Sequence, residues 1–267
     1  MNKQEILEEY KNQEERLLIA KILDKLDFIK TKNKIEYTDF LNLHEQDLVF
    51  KLMKKLNFKN YYLFGGNEIS ERKLAIFYPE KLDEEMCKKN HKNILKVVQI
   101  KLPKELDDEY DHRTYLGALM KLGLEREKIG DIITNSQGAE IIVKNEIFNF
   151  LIQNLSSLSR FEKAEIEEKS IEELTKKEVE KQEITAIIAS LRLDNIVAVL
   201  AKTSRSKADD ILKQERVFVN FSLETKSSKQ INEGDIITIR GKGRFEFKEI
   251  KGNTKKGRFV VKMEKYI

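Results

Sequence analysis

The chain has 267 residues, of which 40% are apolar and 36% charged, with two prolines and no Trp, so it is too hydrophobic for disorder and long enough for two or three compact domains. No stretch approaches the roughly 18 uninterrupted apolar residues that a membrane span needs, and the amino terminus lacks a signal-peptide apolar core, which excludes a membrane role and predicts a cytoplasmic location. Net charge is +4 but uneven: residues 183–267 hold 18 Lys and Arg against 11 Asp and Glu, a surplus of seven, which leaves the rest three short and predicts that one segment meets phosphate.

The first predicted elements are helices. Leu18, Ile22, Leu26 and Ile29, and then Leu48, Val49, Leu52, Met53 and Leu56, recur at helical spacing, with Lys51, Lys54 and Lys55 opposite the second run. Two extended runs, Tyr61–Phe64 and Leu74–Tyr78, flank the turn-prone Gly65-Gly66-Asn67, and Pro79 then breaks the chain. Residues 1–80 therefore read as a small α+β domain.

The next segment, residues 81–169, has the order βαββαβ. Ile94–Leu102 is a predicted strand and His112–Leu122 a helix stopped by Gly123. Asp131–Thr134 and Ala139–Val143 are strands around the turn Asn135-Ser136-Gln137-Gly138. Glu146–Leu155 is a helix and Lys163–Glu167 a last strand. That is the plan of ferredoxin-like and RNA-recognition-motif folds. Single-strand RNA recognition on such a sheet needs aromatic rings on the central strands, and Lys96-Val97-Val98-Gln99-Ile100 and Ala139-Glu140-Ile141-Ile142-Val143 offer none, so a scaffold without a stacking platform is expected. Residues 170–182 read as a charged, helical connector.

The tail, residues 183–267, is more specific. Ser190–Lys202 is a short amphipathic helix, Thr203-Ser204-Arg205 a tight turn, and Ser206-Lys207-Ala208-Asp209 a capping-box-like start to a second helix, with Ala208, Ile211 and Leu212 facing the core and Lys207 and Lys213 outward. Arg205 and Lys207 around a helix amino terminus make a phosphate site, which Lys202 and Arg192 extend. Val217–Asn220 and Gly234–Arg240 are paired strands, and Gly241-Lys242-Gly243-Arg244 turns the chain and adds cations beside Arg240. Two helices on a small curved sheet with a basic stripe suit the backbone of double-helical RNA.

Arg192-Leu193-Asp194, Ser204-Arg205-Ser206-Lys207-Ala208, Val217-Phe218-Val219-Asn220, Gly234-Asp235 and Gly241-Lys242-Gly243-Arg244 together resemble the S-four domain, an RNA-binding module of αL type, over the last third of the chain. Two positions depart from that pattern: Glu215 stands where a helix-ending glycine is common, and Ser227 where proline is. Asp111-His112-Arg113-Thr114-Tyr115-Leu116-Gly117-Ala118-Leu119-Met120, followed by Leu122–Ile132, resembles the YlmH family of bacterial proteins, in which this block precedes an S-four domain. The resemblance implies an amino-terminal domain, a recognition-motif-like domain and the S-four module. It also implies docking on rRNA of the large ribosomal subunit, with peptidyl-tRNA, in quality control of stalled translation. The RNA-binding set so expected is Arg192, Lys202, Thr203, Ser204, Arg205, Ser206, Lys207, Lys213, Arg240, Lys242 and Arg244, with Arg113, Arg126 and Lys128 as secondary RNA or partner contacts.

Catalysis, metal and cofactor are not expected. Pseudouridine synthases carry a tripeptide similar to Arg192-Leu193-Asp194 with a catalytic Asp, but Asn195-Ile196-Val197-Ala198 lacks their following Thr and Gly, so Asp194 is expected to cap or orient basic neighbours. Asp111 is read as the cap of the helix at His112 rather than as acid-base machinery. Cys87, His44, His91 and His112 are scattered and form no zinc pattern, and neither Gly65-Gly66 nor Gly241-Lys242-Gly243 has the spacing of a phosphate-cradling loop. The alternatives are an RNA-modifying enzyme that uses the S-four domain as a substrate handle, and a protein adaptor tethered by RNA. A monomer is expected away from the ribosome.

Overall fold

The computed structural model describes residues 2–89, 91–106, 110–175 and 181–266. The chain falls into two compact units, Met1–Lys177 and Glu178–Ile267.

The first unit opens with α1 (Lys3–Glu8), α2 (Gln13–Lys32), β1 (Glu36–Tyr37), α3 (Leu43–Leu56), β2 (Tyr61–Phe64) and β3 (Leu74–Phe77). Asn12 caps α2, accepting from the Glu14 amide at 2.8 Å, and Asn42 with Glu45 forms a capping box on α3. Asn33 and Asn57 end the two helices in the left-handed region, which asparagine tolerates. The apolar stripes predicted on both helices are buried: Ile22, Leu26, Ile29, Val49, Leu52 and Met53 pack with Ala75 and Phe77 of β3. The strands form an antiparallel sheet in the order β1-β3-β2. The strand β1 is not expected from the sequence, because two residues carry too little periodicity.

After α4 (Glu84–Lys88) and α5 (His91–Ile94) come β4 (Leu95–Lys101), α6 (His112–Lys121), β5 (Ile129–Asn135), β6 (Gly138–Lys144), α7 (Asn145–Asn154) and β7 (Glu165–Lys169). The order βαββαβ is as expected, and the four strands pair antiparallel in the order β5-β6-β4-β7, the split βαβ arrangement. One face carries α6 and α7 over Val98, Ile100, Ile141 and Val143. The opposite face is covered too: Leu95, Val97, Ile133 and Ile142 share a core with Phe40, Leu74 and Ile76 of the first sheet and with Leu174. This explains the missing rings on β4 and β6. The face on which a recognition motif stacks bases is here the floor of another sheet, so branched aliphatic side chains fill it, and every residue of β6 is buried.

The expected division at residue 80 thus falls within one compact unit with a shared core. The helical reading of 170–182 also changes. Ile171–Glu173 is a single 3-10 turn, clamped by the buried Glu140, which accepts from Lys169 Nζ at 2.7 Å and the Thr175 amide at 2.8 Å. Lys181 and Gln182 already belong to a strand, and residues 176–180 lie outside the described residues.

The second unit comprises β8 (Lys181–Ile188), α8 (Leu193–Leu200), α9 (Arg205–Lys213), β9 (Val217–Val219), β10 (Ser222–Leu223), β11 (Ile236–Ile239), β12 (Gly243–Asn253) and β13 (Phe259–Tyr266). Its sheet is larger than the small one expected: six antiparallel strands in the order β10-β9-β11-β12-β13-β8. Leu193, Ile196, Val197, Leu200, Ala208 and Leu212 of the helices pack on Phe245, Phe247, Val261 and Met263. Asn220 and Phe221, with φ of 49° and 68°, make the two-residue turn between β9 and β10.

Candidate nucleic-acid interface

The centre of the second unit's polar surface is Asp194, buried at the start of α8. Arg192 donates to both of its oxygens, from Nε at 3.2 Å and from the guanidinium end at 2.8 Å; Arg205 donates to Oδ2 at 3.0 and 2.8 Å; the Asn195 amide donates to Oδ1 at 2.8 Å. Burial alone pushes this carboxyl up, but the two guanidinium groups outweigh it and hold the acid below the usual carboxylate range. Each arginine is in turn held in one orientation while its side chain stays partly exposed. The expectation that Asp194 orients basic neighbours describes this geometry.

The amides that open α8 are used within the fold: Leu193 donates to the Lys229 carbonyl at 2.8 Å and Asp194 to that of Ser227 at 3.2 Å. The start of α9 differs. Its N-cap is Ser204, which accepts from the Lys207 amide at 3.3 Å, and not Ser206, which lies in the first helical turn. The expected box between Ser206 and Asp209 does not form, because Asp209 bonds the Ser227 hydroxyl and pairs with Lys213 at 2.6 Å. Ser227 therefore uses its hydroxyl to hold the Asp209 carboxylate. Lys213 is exposed but paired; Lys202, Ser206 and Lys207 are exposed, and neither lysine has an ion pair among the described residues.

Two helix ends build this corner. After α8, Thr203 donates to the Ala198 carbonyl at 2.9 Å and Lys202 to that of Val199 at 3.1 Å, a Schellman motif that places Lys202 at φ 53°. After α9, Glu215 donates to Leu212 at 3.0 Å and Arg216 to Ile211 at 3.4 Å, so Glu215 sits at φ 57°, the left-handed conformation that a helix-ending glycine adopts most easily.

The Gly241-Lys242-Gly243-Arg244 turn joins β11 to β12, and its position separates the cations into two groups. The Arg240 amide donates to the Arg216 carbonyl at 2.9 Å, and the Arg216 guanidinium returns to the Arg240 carbonyl at 2.9 Å. The turn is therefore tied to the carboxyl end of α9, whereas Arg205 and Lys207 are at its start; nine residues of helix separate the ends, about 13 Å. Arg240 lies over the Phe218 ring at 5.1 Å and Arg244 over that of Phe221 at 5.4 Å. The sequence reading missed Arg216 and these ring contacts, which follow from strand pairing.

In the first unit, Arg113 is exposed on α6, whose cap is Asp111 as expected, accepting from the Thr114 amide at 2.9 Å. Arg126 and Lys128 face inward. Arg126 donates to the Ile129 and Gly130 carbonyls, and burial beside Arg72 pushes its guanidinium down to about 10. Lys128 pairs with Asp39 at 3.0 Å and Glu146 at 2.8 Å. Both side chains are thus engaged within the unit.

Among the described residues, no helix is long and apolar enough to cross a membrane and no group of His, Cys, Asp or Glu is placed to hold a metal ion.

The family model described as "Putative RNA-binding domain in YlmH" matches residues 88–173, and that of the S4 domain matches residues 191–237. The chain is 29% identical, over 94% of its length and 95% of the relative's, to the ribosome-associated protein quality control protein P2 of Bacillus subtilis. Among solved structures it resembles the cell division protein ylmH from Streptococcus pneumoniae, with a TM-score of 0.48 and 19% identity over 62% of this chain and 96% of that one. A YlmH-type RNA-binding domain followed by an S4 domain is thus what this chain shares with the YlmH-like RNA-binding proteins.

Proposed function

We propose that this protein is a non-catalytic RNA-binding factor that docks on rRNA of the large ribosomal subunit, near peptidyl-tRNA, in quality control of stalled translation. The observation that carries this reading is the Arg192–Asp194–Arg205 knot beside the exposed Lys202 and Lys207: preset guanidinium groups and solvated ammonium groups at a helix start suit phosphate. The ribosome-associated name of the Bacillus subtilis relative supports the address. Occupation of both Asp194 oxygens argues against an RNA-modifying enzyme, because a nucleophile or base needs an open lone pair facing substrate. On this reading the protein acts in the cytoplasm, as a monomer away from the ribosome, without cofactor or metal.

Lys202→Glu with Lys207→Glu is the variant that tests it. Reversing Arg205 instead would set a second carboxylate against Asp194 and confuse binding with folding. The double variant is expected to keep its circular dichroism and to lose about tenfold or more of its co-sedimentation affinity for large subunits, since two phosphate contacts become repulsions. Unchanged co-sedimentation would overturn the docking assignment, and an altered nucleotide in rRNA incubated with the protein, detected by mass spectrometry, would overturn the non-catalytic one.

A further inference from the structure

Charges on the ribbon formed by β8, β13 and β12 follow two different rules. Along its length cations meet carboxylates: across the strands Lys181 pairs with Glu246 at 2.8 Å and Glu264 at 3.2 Å, and Lys251 and Lys262 both pair with Glu183, at 3.1 and 3.0 Å, while Lys248 pairs with Glu246 of its own strand at 2.8 Å. At the tip this stops. Lys255, Lys256 and Arg258 are exposed and have no ion pair among the described residues, and no Asp or Glu occurs between Glu249 and Glu264 to supply one.

The tip has a defined shape. Thr254 donates to the Arg258 carbonyl at 2.8 Å, Gly257 donates to the Thr254 carbonyl at 2.9 Å, and the Arg258 amide donates to the Thr254 hydroxyl at 3.1 Å. Gly257 takes φ 73°, which closes the turn and leaves Lys255 and Lys256 exposed at its corners. Behind the turn, Phe259 and Ile250 pack against the core, and β8 pairs with β13 as far as Phe259 opposite Ile188, so the base of the hairpin is anchored. From Ile188 the chain reaches Leu193 in five residues, at most about 18 Å. The tip therefore stands at the end of the sheet from which the chain enters α8, the end that carries Arg192 and Asp194.

We propose that Lys255, Lys256 and Arg258 form a second contact to the phosphate backbone of the bound RNA, outside the residues 191–237 that match the S4 model. The inference rests on the RNA-docking reading above and adds a second point of attachment to it. Residues 251–258 contain no aromatic ring to stack on a base and no apolar side chain to enter a bilayer, while they carry four cations in eight residues, so the tip suits a polyanion's backbone and is indifferent to base sequence. Two anchored basic points on one rigid unit also raise affinity together, because the second contact forms at high effective concentration once the first is made.

The test uses the full chain, labelled with a fluorophore, titrated into purified bacterial large ribosomal subunits at several salt concentrations. In the variant Lys255→Gln, Lys256→Gln, Arg258→Gln, we expect affinity about tenfold lower and the slope of log affinity against log salt reduced by about two to three, one unit for each phosphate that is no longer neutralised. A variant with the same charge change elsewhere, Lys30→Gln, Lys32→Gln, Lys34→Gln on the exposed end of α2 and the residues after it, is expected to match the wild type. Equal losses in both variants would mean a response to total charge and overturn the inference. Wild-type affinity and slope in the tip variant would overturn it as well and leave the docking reading standing, whereas a wild type that fails to bind subunits would bring down both. Titration with phosphatidylglycerol vesicles is the remaining arm: a tip variant that loses vesicle binding but keeps subunit binding assigns the hairpin to a lipid surface instead.

Discussion

Asp194 shows how one side chain can serve stability and binding at once. Its carboxyl is held below the ordinary range, so the sign of its pH effect is set: the stabilisation is complete above the unfolded value, near 4, and is lost as pH falls through the lower folded value. Asp194→Asn keeps the shape but leaves two guanidinium groups without a counter-charge. Because both arginines are partly solvated, the loss is expected to be on the order of 1–2 kcal/mol, with weaker rRNA binding at neutral pH and a flatter acid limb in chemical denaturation. Glu215 is the opposite case. A non-glycine residue at φ 57° carries a local strain of about 1 kcal/mol, so Glu215→Gly is expected to raise the unfolding midpoint of its unit while leaving RNA affinity unchanged. That strain is legible in the sequence because the position is defined by the preceding helix. The coupling of Arg205 to Asp194, eleven residues apart, is not, because it requires the turn between α8 and α9 to bring them together.

Short elements depend on single contacts. The four-residue α5 is held to β2 by His91, whose ring stacks on Phe64 with centroids 3.6 Å apart and whose Nε2 is hydrogen-bonded with the Tyr62 hydroxyl at 2.9 Å. Burial, with Lys88 nearby, lowers the imidazole to about 4, so the folded chain keeps it neutral where the unfolded chain binds a proton. Stability from this contact is therefore present above pH 6.5 and falls as pH drops from there toward 4. Amide exchange in α5 and β2 is expected to quicken across that window in the wild type, and His91→Gln should remove the pH dependence. Short elements of this kind carry almost no signal in the sequence: α5 reads as the approach to a strand, and the start of β8 as part of a helical connector, since it opens on the exposed polar run Lys181-Gln182-Glu183.

At the level of a whole compact unit, the two sheets of the first share a core, and Gly130 lies where they meet. A Cβ there would come within 2.7 Å of the Phe40 ring and 3.2 Å of Ile142. Gly130→Ala is expected to destabilise the unit by about 1–3 kcal/mol and to speed exchange of amides in β3 and β6 together, as one cooperative block. If β6 alone loosened, the shared core would not be the cooperative element it is taken to be.

Local order is readable from residue pattern: the split βαβ succession, the two short helices of the tail, and the concentration of positive charge in the last third. These are short-range properties, set by hydrophobic period, capping chemistry and turn residues within a few positions of each other. What the pattern could not contain is which surfaces face one another. Covering of the central sheet by the first, separation of the basic residues to the two ends of α9, internal use of Arg126 and Lys128, and the bare cationic tip at the entry to α8 all depend on long-range packing. A lysine has the same sequence signature whether it is neutralised by a carboxylate a hundred residues away or left in water, and only the folded chain distinguishes the two.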